Sequence, residues 1–362
     1  MTLPALDIQS LPNRRVEDWK YSDLRAAVEG ANDVALVPVE WKLGALPEGV
    51  EFFDLKDAVV PAWIGNLGRA SGQNPVPVAF TGIGFAVRVP KNIAVSRPLH
   101  VDFITAGQGR VLIVLEESAS LTFVESHASD LKGFANIGVE IVLAPNAQLT
   151  HIRTAARSPA VIAVEDVAVQ VGRDALYRAH YLNEGARLSR ISAAIGLIGT
   201  NAQAQLSGVS VLGDGAHADV TTHITHAVAN THSTQLFKKV AGGKSRAVYQ
   251  GRVTVQQGAD GTDSIQTAKA LLLGNRAEAD LKPELEIFAD DVKCAHGAAI
   301  GDLDADSLFY LRSRGIPESE ARAILLRAFL EEAVAQITDQ TLHDMAWTAV
   351  ETALPKLLAG AP

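Results

Sequence analysis

Between about Phe85 and Asp302, hydrophobic and polar positions alternate in short runs punctuated by Gly, Asn and Asp. A period of two sends successive side chains to opposite faces of an extended chain, so these runs predict strands with one buried face. Beyond Asp302 the period becomes helical. Asp304 or Asp306 is placed to cap a helix that carries Leu308, Tyr310 and Leu311 and ends at Gly315, and Pro317 suits the first turn of a longer helix running to about Ile337. In that helix Ala321, Ile324, Leu325 and Ala328 make one apolar stripe, with Glu318 and Glu320 near the positive end of the helix dipole. A third helix, after Thr338-Asp339, carries Leu342, Met345, Ala346, Ala349, Val350 and Ala353. Residues 1–84 read as a mixed or helical unit. Within it Ser22 is placed to cap a helix through Glu29 that Gly30 stops, and Trp19, Trp41 and Trp63 are read as packing residues. The chain thus divides into 1–84, a strand-rich core at 85–303 and a helical unit at 304–362.

The strand region holds a weak repeat. Ala119-Ser-Leu-Thr-Phe-Val, Ala147-Gln-Leu-Thr-His-Ile and Ala186-Arg-Leu-Ser-Arg-Ile share one form, and Ala216-His-Ala-Asp-Val-Thr is a looser copy. Pro145-Asn146, Glu184-Gly185 and Gly213-Asp214-Gly215 supply turns before the later copies. Strand units recurring at unequal intervals of about thirty residues, none able to bury its inner face alone, suggest stacked rungs of a β-solenoid, a β-helix core in a mainly β chain. Periodicity alone leaves a β-sandwich open.

Candidate chemistry gathers near the end of that region. From Glu284 the residues alternate, Leu285, Ile287 and Ala289 on one side and Glu284, Glu286, Phe288 and Asp290 on the other. If the strand continues through Asp290 and Asp291, its outward face goes on to carry Val292, Cys294 and His296. A thiol and an imidazole two residues apart can reach one soft or borderline metal ion. The plainer reading is a small buried cysteine and a histidine making one hydrogen bond. His217, His223, His226 and His232 are a second cluster. The three-residue spacing sends His223 and His226 to opposite strand faces, so solvated strand faces are expected there and not a metal site. Gly242-Gly243-Lys244-Ser245 resembles the tail of a phosphate-binding loop, but Lys238 stands where that motif needs glycine and a strand pattern follows, so a hairpin turn is expected.

Composition narrows the classes. The chain has 362 residues, 48% hydrophobic and 20% charged, enough to bury a large core. A formal net charge of -9 argues against a nucleic-acid partner, which needs concentrated basic surface. A single cysteine excludes an intrachain disulfide framework, and neither a membrane span nor the apolar core of a signal peptide is visible, so a cytoplasmic protein is expected.

The run ADDVKCAHGAAIGDLDADSLFYLRSRGIP resembles the C-terminal signature of the SufB/SufD family of iron-sulfur cluster assembly scaffolds, its SufD branch in particular. RRVEDWKYSDL at Arg14–Leu24, THSTQLFKK at Thr231–Lys239, GRVTV at Gly251–Val255 and LLLGNRAEADLKPELEI at Leu271–Ile287 agree with it, while Ala295, Ala299 and Asp302 depart from it. The resemblance implies a β-helix core and a non-catalytic scaffold that pairs with a SufB-like paralogue and a SufC-like ATPase. It implies that the ATPase docks on the C-terminal helices, here through Leu308, Tyr310, Leu311, Arg312 and Pro317. It also implies that a nascent iron-sulfur cluster forms at the SufB–SufD interface, with His296 and Cys294 as candidate metal ligands on this side. Clusters of the common types take four protein ligands. The isolated chain is therefore expected to hold none, and the likeness of the two paralogues implies that without its partner it forms a homodimer through the surface meant for that partner. Alternatives from other classes are a β-solenoid polysaccharide hydrolase or lyase, which the absence of tryptophan from the strand region disfavours, and a mononuclear metal enzyme using the His217–His232 group.

Overall fold

The computed structural model describes residues 6–31, 34–56, 83–128, 131–156 and 158–358. Trp63 lies outside the described residues. Strands leave the chain alternately for two nine-stranded sheets. One sheet holds β2 (Glu51–Asp54), β3 (Gly84–Val89), β5 (Gln108–Leu115), β7 (Gly133–Leu143), β9 (Val161–Val171), β11 (Leu188–Leu197), β13 (His217–His226), β15 (Arg246–Val255) and β17 (Glu278–Ile287). The other holds β1 (Trp41–Leu43), β4 (Leu99–Phe103), β6 (Ser120–His127), β8 (Gln148–Ala155), β10 (Leu176–Asn183), β12 (Gln203–Leu212), β14 (His232–Ala241), β16 (Thr262–Leu272) and β18 (Val292–Gly301). From β3 onward every neighbour in either sheet is parallel and in register, which is the β-solenoid expected from the repeat.

Alternation explains the core. Phe85, Val111, Val139, Val167, Ala193, Val220 and Val253 from one sheet meet Phe123, Leu149, Tyr177, Ala204 and Ala268 from the other, all buried in the lumen between them. One corner of every coil is set by a residue with positive φ: Asn92, Ser118, Asn146, Asp174, Asn201 and Asn230, then Gly261. Short polar side chains tolerate this conformation better than β-branched ones. Each of these residues donates its backbone N–H to a carbonyl of the following coil at 2.7–3.0 Å, so the corners stack as the strands do. Ala119 and Ala147 sit just after this corner, as do Ala175 and Ala202, whereas Ala186 and Ala216 precede strands of the opposite sheet. The repeat visible in the sequence therefore mixes two non-equivalent corners. Gly242–Ser245 is likewise a corner between β14 and β15, which lie in different sheets, and not a hairpin.

Both outer faces are covered in the middle of the solenoid. The N-terminal segment, with helix α1 (Leu24–Glu29), packs Leu11, Trp19, Leu24 and Val28 against Phe134, Ile162, Val164 and Leu188. Asp23, not Ser22, caps α1 by accepting from the Ala26 N–H. Ser22 is fully buried instead, and its hydroxyl donates to Asp219 at 2.6 Å. Asp219 also accepts from Arg190 at 2.6 Å, and the Arg190 guanidinium lies 4.3 Å from the centre of the Trp19 ring. On the other sheet, α3 (Glu318–Val334) and α4 (Gln340–Leu358) cover Val124, Ile152, Leu182, Val209, Val211 and Val240. The buried face of α3 is Leu326, Leu330, Ala333 and Val334, with Ala321 and the following Ile337, while Ile324 and Ala328 are exposed. The expected stripe was displaced because α3 carries apolar residues on two faces and the sheet takes the one richer in leucine. Helix α2 (Ala305–Ser313), capped by Asp304, has no fully buried residue. Among the described residues no helix is long and apolar enough to cross a membrane.

Candidate functional site

The chain does not run straight from Glu284 to His296. β17 ends at Ile287, and a corner at Phe288–Asp291 carries it into the opposite sheet. The corner stacks on the one before it: the Gly261 N–H donates to the Asp291 carbonyl at 2.7 Å and the Asp291 N–H to Asp260 Oδ1 at 3.4 Å. Leu285 and Ile287 stand beside the buried Val253 and Val255, so they face the lumen as the alternation required. Glu284 and Glu286 face outward and pair with Arg252 at 3.5 Å each.

Beyond the corner, β18 reverses the expected sidedness. It pairs with β16 so that Cys294 stands opposite Ser264, His296 opposite Gln266 and Ala298 opposite Ala268, and those three partners all face the lumen. The even-numbered residues of β18 therefore point inward. Cys294 is half-buried against the core cluster. His296 is exposed because, among the described residues, no further coil closes over it. The imidazole and thiol thus stand on the lumen side of the last coil, at its open end, beside a rim of exposed Ile287, Ile300 and Phe288, the last 64% exposed.

Burial pushes the Cys294 thiol up from its ordinary value and the Asp263 carboxylate adds to the shift. Alone, the group stays a thiol at neutral pH, and a metal ion bound there would displace its proton. Cys294 and His296 lie about 7 Å apart along one strand face by strand geometry, and both project toward the same opening. Among the described residues no group of three or more His, Cys, Asp or Glu side chains is arranged to hold a metal ion. A soft metal centre meeting this strand finds at most two ligands and needs the others from another molecule.

The second histidine cluster does not converge. His226 faces the lumen at 0% exposure, with Nδ1 at 2.7 Å from the Thr231 hydroxyl and Nε2 at 2.9 Å from that of Ser233. Burial, with some help from His232, lowers its pKa to about 4. His217 lies beneath the N-terminal segment at 3.1 Å from Ser22 Oγ, and His232 is exposed. The expectation of solvated faces fails for His226, because Thr231 and Ser233 across the coil corner satisfy both ring nitrogens.

Of the proposed docking residues, Leu308 and Leu311 are half-buried, Tyr310 is 57% exposed, and Pro317 is exposed at the N-cap of α3. Arg312 is exposed and reaches Glu318 at 3.3 Å. Sequence reading passed over Phe309, which is 74% exposed on α2 beside Tyr310. An aromatic pair on a helix with no fully buried residue is the signal that could have found it.

A sequence profile described as SUF system FeS cluster assembly, SufBD core domain, matches residues 101–329, which spans β5 to β18 and reaches into α3. The chain belongs to the SufBD family. An iron-sulfur cluster assembly SufBD family protein of Synechocystis sp. is 31% identical over 90% of this chain and 84% of its own length. The iron-sulfur cluster assembly protein SufD of Escherichia coli is 33% identical over 67% of this chain, which spans 57% of that protein. A SufBD family protein of Mycobacterium tuberculosis is 28% identical over 96% of this chain and 90% of its own. The strand that carries Cys294 and His296 is the last strand within the matched region.

Proposed function

We propose that this chain is a SufD-type, non-catalytic scaffold of the SUF iron-sulfur cluster assembly system. It pairs in the cytoplasm with a SufB-like paralogue through the open end of the solenoid and recruits a SufC-like ATPase through its C-terminal helices. The nascent cluster is cargo, shared transiently with the partner. His296 is the ligand from this side and Cys294 a second candidate, while the isolated chain retains no cluster.

The observation that carries this reading is the last coil. A thiol and an imidazole face an opening that the described residues leave uncovered, amid an apolar rim of the kind that interfaces bury. Two ligands beside an unfilled surface suit a centre completed by another protein. The likeness to E. coli SufD supports the SufD assignment. The exposed Phe309–Tyr310 pair on α2 supports a docking surface on the C-terminal helices.

His296→Ala tests the reading. The side chain supports no packed core, so the variant should keep its circular dichroism while failing to restore cluster-dependent growth in cells lacking the chromosomal copy. Full complementation would sink the ligand role. Light scattering on the isolated chain should give a dimer at micromolar concentration, and a strict monomer would mean that the open end lacks self-complementarity.

A further inference from the structure

Directly behind His296, one coil inward, stands Gln266, at 0% exposure and in register with it. In-register parallel neighbours on one face lie about 4.8 Å apart, within reach of a glutamine amide and an imidazole. The donors and acceptors around Gln266 are fixed by the lumen. Tyr249 OH donates to Gln235 Oε1 at 3.1 Å, leaving its oxygen to accept from Gln266 Nε2 at 2.8 Å. Gln235 Oε1 also takes the Thr222 hydroxyl at 2.6 Å. This holds the Gln266 amide in one orientation. Its Oε1 is left buried with no hydrogen-bond partner among the described residues.

Space for the arrangement is reserved as well. A Cβ on Gly251, across the lumen, would lie 1.8 Å from Gln266 Nε2 and 2.4 Å from Tyr249 OH. An apolar filler would occupy this lumen more simply, since an unpartnered buried carbonyl oxygen costs about 1–3 kcal/mol. Such an orphan calls for an explanation. The structure draws no hydrogen bond from His296 to it, but the imidazole stands in register on the next strand as a donor that a side-chain rotation would bring to it.

We propose that Gln266 is a positioning residue for His296: its Oε1 accepts the ring N–H of the imidazole, fixing one tautomer and presenting the other nitrogen to the metal at the open end. A ligating histidine generally donates its second nitrogen to such an acceptor, which sets ring orientation and basicity. The inference rests on the ligand role proposed for His296. Tyr249 and Gly251 act behind it by holding the amide and leaving it room.

The test needs only the full chain, selectively labelled with 15N-histidine. At a pH where the ring is neutral, long-range nitrogen–proton correlation spectra should show His296, identified as the signal missing from His296→Ala, as a single tautomer. Averaged tautomers, as in a free exposed imidazole, would overturn the proposal without any variant. In Gln266→Leu the His296 signals should move to averaged positions, with complementation falling by about 10–100-fold, and Gln266→Glu, which keeps an acceptor oxygen, should restore the single tautomer. An unchanged His296 spectrum in Gln266→Leu also overturns it. If His296→Ala complements fully, the ligand reading fails and this inference with it. If His296→Ala is inactive while Gln266→Leu behaves as wild type, the ligand reading stands and this inference alone falls.

Discussion

Ser22 Oγ donates to Asp219 Oδ2 at 2.6 Å across 197 residues of chain, a fully buried contact that ties the N-terminal segment to the middle of the solenoid. Asp219 keeps Arg190 and Thr221 when Ser22 is replaced, so Ser22→Ala should cost about 1 kcal/mol, as for an ordinary neutral partner lost. The cost should be local. Hydrogen exchange should quicken in residues 17–31 and stay unchanged in β11 and β13. A uniform change across the solenoid would show that the segment is not a separately opening unit.

Arg153 lies in the lumen between Glu125, at 2.6 Å, and Glu165, which it also contacts. Burial works against ionising Glu125, yet the Arg153 charge, with the His127 ring at 4.0 Å and the His151 ring at 3.3 Å, holds its carboxyl well below the usual range. Arg153→Leu leaves two carboxylates facing each other in a dry core and should destabilise by about 3–5 kcal/mol in urea unfolding. Adding Glu125→Gln and Glu165→Gln should recover much of that loss, and no recovery would mean that the shape of Arg153 matters more than its charge.

His226 makes stability depend on pH. Its folded pKa is lowered to about 4 by burial, while an unfolded histidine titrates near 6.5. Its contribution is therefore fully present above about pH 6.5 and is lost as pH falls toward 4, because the unfolded chain binds a proton that the folded chain refuses. The slope for one such group is about 1.4 kcal/mol per pH unit. Unfolding free energies of wild type and His226→Gln, measured from pH 4 to 7, should differ in slope by up to that amount. Parallel curves would place the titration elsewhere.

Removing everything after Asp302 uncovers Val124, Ile152, Leu182, Val209, Val211 and Val240, so the truncated chain should aggregate and not persist as a soluble solenoid. Docking is better probed on α2. Phe309→Ala with Tyr310→Ala should change stability by no more than about 0.5 kcal/mol, since neither side chain is buried, and should abolish recovery of a SufC-like ATPase in a pull-down. Undiminished recovery moves the docking surface off α2.

The strands were legible from alternation because each buries one face, and runs such as Leu285-Glu286-Ile287 say so without help from neighbours, while the choice of a solenoid over a sandwich needed the repeat and the family resemblance. The sidedness of β18 was not. Which face of Val292–Gly301 points inward depends on its register with β16, and the corner that sets this, Phe288–Asp291, has no glycine or proline to mark it. Burial of His226 was hidden for a similar reason, since its partners Thr231 and Ser233 lie across a turn. Cys294 and His296 could be singled out by residue type, but their place at an open lumen, and Gln266 behind one of them, come only from the stacking of coils.

The two ends of the solenoid differ, and this limits how copies can add. At the N-terminal end each sheet finishes on a short antiparallel strand, β1 of three residues and β2 of four. At the other end it finishes on the ten-residue strands β17 and β18, parallel to their neighbours and, among the described residues, unpaired on their outer edges. A solenoid with two like ends can polymerise head to tail. Here a long open edge finds no matching edge on the far end of a second copy, so end-on contact favours open end against open end. Such a contact would be used up by one partner, so end-on growth of this kind would stop at a pair and leave no bare edge to seed a fibre.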